Sequence, residues 1–240
     1  PGDAAFTKYF IKPVDTFITM SEKVKQDLAG LTDKKATFLS HPLYDNFGEP
    51  LSKPEACAEL NIPTHNKYIL FFGFIRKYKG LDLLLEAMHD ERIRNAGIEL
   101  IVAGEFYDER KAYDDIIEKH SLRNIRLFTD FIPDSKVVNY FSAADLVVQP
   151  YRNATQSGIT QIAYHFEKPM VVTNVGGLPE LVPDGKTGYV AAPDPQSIAT
   201  AIMRFYDGDP NRFHDNLAAE KKKYSWDSFA KNLLASAFSN

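Results

Sequence analysis

The stretch YILFFGFIRKYKGLDLLLEAM, residues 68–88, holds a complete strand, turn and helix. Its first part, residues 68–74, is a nearly continuous apolar run, which is typical of a strand buried on both faces of a sheet. After the turn, apolar side chains recur at helical spacing at Leu81, Leu84, Leu85 and Met88. The stretch therefore predicts a buried strand that leads through a short basic turn into an amphipathic helix.

The same pattern recurs along the chain. Four further strand-like runs lie at residues 98–104, 125–132, 146–151 and 169–175, and helical segments follow the first three. Near-continuous apolar strands that alternate with helices predict an α/β fold, a doubly wound parallel sheet with helices on both faces. In such sheets ligands bind beyond the carboxyl ends of the strands, where loops lead into helices. Functional residues are therefore expected in the turns after these strands.

Composition limits the class of protein. Of 240 residues, 44% are hydrophobic and 25% are charged, which is ordinary for a globular domain. The formal net charge of -4 gives no general attraction to nucleic acid or anionic lipid, so an anion needs a local site. One cysteine, Cys57, excludes an internal disulfide framework and fits a reducing compartment. No apolar run is long enough to span a membrane, and the first 15 residues do not read as a signal peptide.

Several catalytic motifs are absent. The six histidines show no metal-ligand spacing, and no HExxH motif occurs. The chain has no GxxxxGK[ST] phosphate loop and no GxGxxG dinucleotide fingerprint after a strand. A GxSxG nucleophile elbow is also missing, which excludes the simplest hydrolase interpretation. We therefore expect neither a metal nor a cofactor.

The two ends of the chain depart from the alternating pattern. Residues 14–30 and 35–44 read as a strand with a Ser21-capped helix and then a further strand, before a proline-bearing stretch at 42–63. We predict that residues 1–50 are the tail of a preceding domain with its linker and that 51–240 form the main domain. Three helical segments without an intervening strand close the chain. Their basic run EKKKYSW, 220–226, is interpreted as a solvated face, with membrane contact as the alternative.

The turn within QPYRNATQSGITQIAYHF, residues 149–166, is unusually rich in small and polar residues. Ser157 is a good N-cap for the following helix, and Gly158 lets another group approach the backbone closely. The unpaired amides of the first helical turn, residues 158–160, would then favour an anion. Because every helix has such an end, this feature alone leaves a phosphate site and an ordinary cap both open.

Two further turns add candidates at the same edge of the sheet. GFIRKYKG, residues 73–80, contributes Arg76 and Lys79, whose planar fork and mobile point charge suit a diphosphate. TNVGGLPELVPDGKTGYV, residues 173–190, contributes Gly176 and Gly177, followed by Glu180. The glutamate can meet sugar hydroxyls or cap the next turn, and both interpretations stay open. Residues 184–188, DGKTG, are interpreted as a turn.

These segments, in this order, resemble the donor-binding C-terminal domain of the retaining glycosyltransferases of family 4, which have the two-domain GT-B fold. The most specific stretches are FFGFIRKYKGLDLLLEAM, FTDFIPDSKVVNYFSAADLVVQPY and SGITQIAYHFEKPMVVTNVGGLPELVPDGKTGYV. The likeness covers roughly residues 68–240, and residues 1–50 look like the last strand and helix of the acceptor-binding N-terminal domain. The resemblance implies a Rossmann-like half of a GT-B fold and a nucleoside-diphosphate sugar at its carboxyl edge.

The resemblance also implies roles for individual residues. Lys79 matches the lysine that meets the diphosphate, and Arg76 stands in for the arginine that usually takes the place of Phe74. These two are the predicted catalytic residues, because they would stabilise the charge on the departing diphosphate. Backbone around Phe131 and Ile132 matches the loop that holds the nucleobase. The predicted donor-binding residues are Gly73, Phe131, Ile132, Thr155, Gln156, Ser157, Gly158, Ile159, Thr160, Gln161, Gly176, Gly177 and Glu180.

One departure from the family pattern concerns two glutamates that usually flank this turn. In this chain their positions hold Ala154 and Ile162, while Thr155, Gln156 and Gln161 stand beside them. Amides and hydroxyls would then contact the sugar or ribose. Two alternatives to a glycosyltransferase stay open: a non-catalytic nucleotide-sugar or carbohydrate-binding module, and a sugar-nucleotide epimerase-like protein of the same fold.

The resemblance implies the remaining functional context. The substrate would be a nucleoside-diphosphate sugar, and the acceptor a glycan, a lipid-linked sugar or a small molecule in carbohydrate biosynthesis. The missing N-terminal domain would be the partner of this one. We expect the protein in the cytoplasm, with the inner face of the membrane as the alternative location, and we expect no nucleic-acid partner.

Overall fold

A six-stranded, fully parallel sheet forms the centre of the computed structural model, which describes residues 2–238. Residue 1 of the first predicted domain and residues 239 and 240 of the second therefore lie outside the described residues. The first two strands of the chain, β1 (Phe17–Thr19) and β2 (Ala36–Phe38), form a separate small parallel sheet. The strands of the large sheet are β3 (Lys67–Phe72), β4 (Ile98–Ala103), β5 (Ile125–Phe128), β6 (Leu146–Gln149), β7 (Met170–Thr173) and β8 (Gly188–Ala191).

The spatial order of the large sheet is β5-β4-β3-β6-β7-β8. The chain winds outward from β3 in one direction and then returns to wind outward from β6 in the other. This is the strand order of a doubly wound Rossmann-type sheet, whose topological switch point lies between β3 and β6. The predicted fold class, a doubly wound parallel sheet with helices on both faces, is confirmed.

Twelve α-helices lie among residues 2–238, and the second of them packs against the small sheet. They are α1 (Gly2–Ile11), α2 (Glu22–Ala29), α3 (Lys53–Glu59), α4 (Leu81–Ala87), α5 (Glu91–Asn95), α6 (Lys111–Lys119), α7 (Asp134–Ala143), α8 (Gly158–His165), α9 (Leu178–Leu181), α10 (Pro195–Tyr206), α11 (His214–Lys223) and α12 (Trp226–Phe238). The stripe predicted on α4 is buried, with Leu81, Leu84 and Leu85 packed against the core. Within the described residues, none of the helices combines the length and the apolar composition that crossing a membrane requires.

Charged side chains form hydrogen bonds at the amino-terminal edge of the sheet. Asp145, just before β6, accepts a hydrogen bond from Lys53 Nζ at 2.6 Å and another from the amide of Tyr68 at 2.8 Å. Nearby, the buried Lys168 donates to the carbonyl of Ala144 at 2.8 Å. Each of these partly buried charges has a partner, so this edge of the sheet has a structural role.

Some elements differ from the sequence-based prediction. β8 was not predicted, because the glycines around it read as a turn. The turn itself is present: the Asp184 carboxylate accepts from the amide of Val190, and the strand begins at Gly188. α3 was not predicted, because the proline-bearing stretch 42–63 was interpreted as a break in the alternating pattern. Yet Ser52 and Glu55 form a capping box, a local sequence pattern that identifies the helix start.

Candidate functional site

Two turns meet at the switch point of the sheet, one after β3 and one after β6. The amide of Arg152 donates to the carbonyl of Tyr78 at 2.7 Å, which joins them directly. Gly80 has a φ of 69°, and a Cβ there would lie 2.0 Å from the carbonyl oxygen of Pro150. Only glycine fits this approach, so the sequence KG at 79–80 fixes where Lys79 stands relative to the second turn.

Lys79 points its ammonium into the cleft between the two turns. Its Nζ lies 3.0 Å from the position that a Cβ on Gly73 would occupy and 5.9 Å from the centroid of the Tyr151 ring. No residue in the described part of the chain accepts a hydrogen bond from it or pairs with its charge. Burial lowers the pKa of Lys79 to about 8, and the nearby positive charge of Arg76 adds to that effect. A largely buried cation without a counter-charge is a candidate for binding an anion.

Arg76 occupies the other end of the same turn and is exposed. Its guanidinium carbon lies 4.9 Å from the centroid of the Tyr107 ring, and the residue does not line the cleft that holds Lys79. The charge of Arg76 therefore affects the pKa of Lys79, but the two side chains occupy different places. Lys79 is inside the cleft, and Arg76 is stacked at its rim.

The start of α8 forms the opposite wall. Ser157 caps the helix: its Oγ accepts from the amide of Ile159 at 3.3 Å and lies 3.1 Å from the hydroxyl of Tyr151. The amide of Thr160 donates to the carbonyl of Ser157, and its hydroxyl donates to Gln149 at 3.2 Å. Of the three amides considered for an anion, only that of Gly158 has no partner among residues 2–238. To bind an anion, the amides of residues 159 and 160 would have to lose the hydrogen bonds that they donate to Ser157.

Residues 41–44 lie against this helix start. The ring of Tyr44 would lie 3.1 Å from a Cβ on Gly158, so a larger residue there would have to displace the ring slightly. Tyr44 stacks on His41, with ring centroids 4.8 Å apart. In addition, the side-chain amide of Gln156 donates to the carbonyl of Met20. Tyr44 and His41 were not predicted as site residues, because no local pattern connects residues 41–44 with a turn more than 100 positions later.

Together these groups enclose a cleft of ≈ 280 Å³. Lys79 lies on one side of the cleft, and Gly158 and Ile159 lie on the other. Aromatic rings line much of the remaining wall; they belong to Tyr44, Phe47, Tyr78 and Tyr151. No aspartate or glutamate lines the cleft. The arrangement suits an anionic group beside Lys79 and a flat or apolar group against the rings.

The glycine pair after β7 packs against the second turn. A Cβ on Gly176, whose φ is 52°, would lie 1.4 Å from the carbonyl oxygen of Ala154, and one on Gly177 would lie 2.8 Å from that of Thr155. The pair therefore allows two backbone segments to touch. Glu180 is exposed on α9 and lines neither the cleft nor the small cavity beside it, and Thr155 is exposed as well.

The predicted nucleobase loop follows β5. Phe131 is 70% exposed and Ile132 is partly buried. Other exposed aromatics lie after β3 and β4, where Phe74 and Tyr107 have ring centroids 4.5 Å apart. Within residues 2–238, no cluster of histidine, cysteine, aspartate and glutamate side chains could hold a metal ion. The site thus relies on cations, amides and rings.

The positions where glutamates were expected are occupied differently. Ile162 is buried and contributes to the cleft wall, while Ala154 is partly buried under the turn that contains Gly176. Neighbouring Gln161 is buried with its side-chain oxygen unpaired. The apolar side chain of Ile162 therefore replaces one acidic residue. Beside it, the side-chain oxygen of Gln161 has no hydrogen-bond partner among residues 2–238.

Comparison with known proteins identifies a family. The sequence model of the family described as "Glycosyl transferases group 1" matches residues 52–224. The D-inositol 3-phosphate glycosyltransferase of Corynebacterium aurimucosum is 29% identical over 195 residues, covering 77% of this chain and 46% of that protein. The enzyme of the same name from Corynebacterium diphtheriae is 31% identical over 186 residues, covering 72% and 43%. The chain thus spans about half the length of the curated relatives it matches.

Solved structures agree in fold. The structure of Anabaena HepE in complex with UDP and glucose superimposes with a TM-score of 0.80 at 16% identity, covering 100% of this chain and 67% of that one. Sucrose-phosphate synthase from Thermosynechococcus elongatus gives 0.77 at 19% identity, covering 98% and 60%. At these identities the likeness establishes the architecture alone.

Proposed function

This chain belongs to the glycosyl transferases group 1 family, and from that premise we propose that it binds a nucleoside-diphosphate sugar for transfer to an acceptor. Residues 51–240 would be the donor-binding half of the enzyme, and residues 1–50 would belong to the acceptor-binding half. Relatives named D-inositol 3-phosphate glycosyltransferase support a glycosyl transfer reaction, and the HepE complex with UDP and glucose supports a nucleotide-sugar donor.

The observation that carries the proposal is the unpaired ammonium of Lys79. It lies at the topological switch point, where doubly wound sheets bind ligands, and it faces the amino end of α8 across the cleft. A buried cation that nothing neutralises lowers stability in the free protein, so its retention is explained by a ligand that supplies the negative charge. A diphosphate supplies that charge and also accepts from the free amide of Gly158.

Transfer breaks the bond between the anomeric carbon and the diphosphate oxygen and forms a bond from that carbon to an acceptor oxygen. Negative charge grows on the departing diphosphate, so Lys79 stabilises the transition state more than the ground state. We propose retention of configuration, with the acceptor's proton passing to the leaving phosphate. This course follows the resemblance of these segments to the retaining glycosyltransferases of family 4.

Titration calorimetry of this chain with UDP, GDP and ADP tests the donor site. We expect measurable heat with at least one of them at millimolar ligand, without added metal. Uridine, guanosine and adenosine serve as matched ligands that lack the diphosphate, and they should bind far more weakly. If no diphosphate binds, or if each nucleoside binds as well as its diphosphate, the proposal is wrong.

A further inference from the structure

Tyr151 lies two residues beyond β6, and its side chain reaches both walls of the cleft. The centroid of its ring is 5.9 Å from Lys79 Nζ on one wall, and its hydroxyl oxygen is 3.1 Å from the Oγ of Ser157 on the other. The residue is 3% exposed. One buried side chain thus connects the cation of the cleft with the helix start that faces it.

The backbone around Tyr151 is held from two sides, which limits where the ring can lie. The hydroxyl of Thr173, in β7, donates to the carbonyl of Tyr151 at 2.5 Å. On the other side, the amide of Arg152 donates to the carbonyl of Tyr78 at 2.7 Å. A buried ring on a fixed backbone has few alternative positions, because the interior is closely packed. It therefore offers a fixed surface to the flexible side chain of Lys79.

The hydroxyl of Tyr151 donates its hydrogen to Ser157. Burial raises the pKa of Tyr151, so the hydroxyl keeps its proton. Among residues 2–238, Ser157 Oγ is the only group within hydrogen-bonding distance of that hydroxyl, and a buried hydrogen without an acceptor would be costly. Ser157 Oγ then accepts from Tyr151 and from the amide of Ile159. The cap of α8 thereby holds the far end of the ring in place.

The ring is the one electrostatically favourable contact that the described residues give to the Lys79 ammonium. An ammonium within about 6 Å of the centroid of a tyrosine ring is attracted by the negative face of the ring, and more strongly when water is excluded. The other charge that acts on Lys79 is the positive charge of Arg76, and no aspartate or glutamate lines the cleft. The ring therefore offsets part of the cost of burying this charge.

We propose that Tyr151 is a positioning residue: its ring holds the ammonium of Lys79 in the cleft, charged and directed at the place where a diphosphate would bind. This inference rests on the proposed function, because Tyr151 acts through Lys79 and not on the reacting atoms. In the free protein, the ring keeps Lys79 protonated at a higher pH than burial and the charge of Arg76 alone would allow.

The titration of Lys79 in the free protein measures what the ring contributes. In NMR spectra, the signal of the carbon bonded to a lysine Nζ moves as the ammonium loses its proton, and comparison with Lys79→Met identifies the signal of Lys79. We expect the midpoint of about 8 to fall by about 0.5–1 pH unit in Tyr151→Leu, since the attraction of the ring for the charged form is lost. In Tyr151→Phe, which keeps a ring, the midpoint should stay within about 0.3 unit of the wild type. An unchanged or higher midpoint in Tyr151→Leu would overturn the inference.

Tyr78→Leu is the matched control for the ring. Tyr78 also lines the cleft, but among the described residues the ring within cation–π distance of Lys79 is that of Tyr151. The midpoint in Tyr78→Leu should therefore stay within about 0.3 unit, and a fall as large as that in Tyr151→Leu would contradict the proposed role. If Tyr151→Leu does not fold, Tyr151→Met takes its place, because methionine fills irregular space. Failure of both variants to fold would assign Tyr151 to the fold and overturn the inference.

Calorimetry then connects the ring with ligand binding. Of UDP, GDP and ADP, the diphosphate that binds the wild type most tightly should bind Tyr151→Leu about 2- to 5-fold more weakly at about pH 8. The difference should nearly vanish at about pH 6.5, where Lys79 is protonated in both proteins. An equal loss at the two pH values would mean that the ring contacts the ligand itself and would overturn the inference. If the wild type binds no diphosphate, the proposed function fails, whereas the titration of Lys79 still decides whether Tyr151 holds the ammonium.

Discussion

Lys79 and Lys168 lie at opposite edges of the same sheet, and burial lowers the pKa of both. At the amino edge, Lys168 donates to the carbonyls of Ala144 and Ser142, at 2.8 and 3.4 Å. At the carboxyl edge, Lys79 faces a cleft and has no acceptor among residues 2–238. The chain therefore satisfies one buried lysine and leaves the other unsatisfied.

This difference distinguishes a lysine that supports the fold from a lysine that is available to a ligand. A buried polar group that is satisfied contributes about 0.5–1.5 kcal/mol, or more when charged, and removing its partner costs more. An unsatisfied buried group lowers the stability of the free protein until a ligand arrives. Substitutions at the two edges should therefore have opposite effects on stability and on binding.

The largest expected effect is at the carboxyl edge. Lys79→Met should weaken nucleoside diphosphate binding by roughly 10- to 100-fold, because a charge-assisted contact to phosphate is lost. Its free energy of unfolding should be unchanged or higher, since a buried charge without a partner is removed. Calorimetry gives the affinity, and urea unfolding gives the stability.

Lys77→Met is the matched control for that experiment. Lys77 belongs to the same turn and carries the same charge, but it is exposed and does not line the cleft. Its substitution should change affinity by less than about threefold. Equal losses in the two variants would mean that the turn attracts anions only through its overall charge.

The second effect is at the amino edge. Lys168→Met should lower the free energy of unfolding by about 2 kcal/mol, because two buried carbonyls lose their donor. Diphosphate affinity should stay within about twofold, since the residue is at the far end of the strands. Urea unfolding together with calorimetry on the folded variant measures both quantities. Unchanged stability would remove the distinction between the two lysines.

Much of the fold followed from periodicity. The apolar runs at 68–74 and 98–104 predicted two central strands, and the stripe that includes Leu84 predicted α4. β8, Gly188–Ala191, was missed because its first residue is a glycine that reads as the end of the preceding DGKTG turn. There, glycine is required by packing: a Cβ would lie 1.8 Å from the carbonyl oxygen of Met170. Such a contact between distant segments leaves no local trace.

The candidate site was predictable to the same extent. Lys79 and Ser157 follow apolar runs, so strand order and turn chemistry brought them to one edge. Two features could be seen only in the structure. They are the position of the Tyr44 ring against Gly158 and the hydrogen bond from the Thr160 hydroxyl to Gln149. Both depend on where a side chain points after packing, which spacing along a helix or turn does not determine.

The third prediction concerns the pH dependence of diphosphate binding, which should follow the protonation of Lys79. With a pKa of about 8 in the free protein, Lys79 loses its proton as pH rises through that value. Diphosphate affinity should therefore fall about tenfold between pH 7 and 9, with proton uptake on binding near pH 8. Between pH 8 and the ordinary lysine pKa of 10.5, the unfolded chain binds more protons, so this residue makes the free protein more stable as pH rises. The affinity profile of Lys79→Met should be flat, and a tenfold fall retained in that variant would contradict the assignment.

The smallest expected effect concerns Arg76, whose charge lowers the pKa of Lys79 from the rim of the cleft. Arg76→Ala should weaken diphosphate binding only about two- to fivefold, because an exposed cation is screened by solvent. It should also move the midpoint of the pH profile upward, since Lys79 then loses a positive neighbour. Calorimetry at low salt and at about 0.5 M salt separates the two cations: the contribution of Arg76 should nearly vanish in high salt, while that of the buried Lys79 should largely persist. If Arg76→Ala instead weakens binding as much as Lys79→Met at both salt concentrations, the guanidinium leaves Tyr107 and contacts the ligand directly.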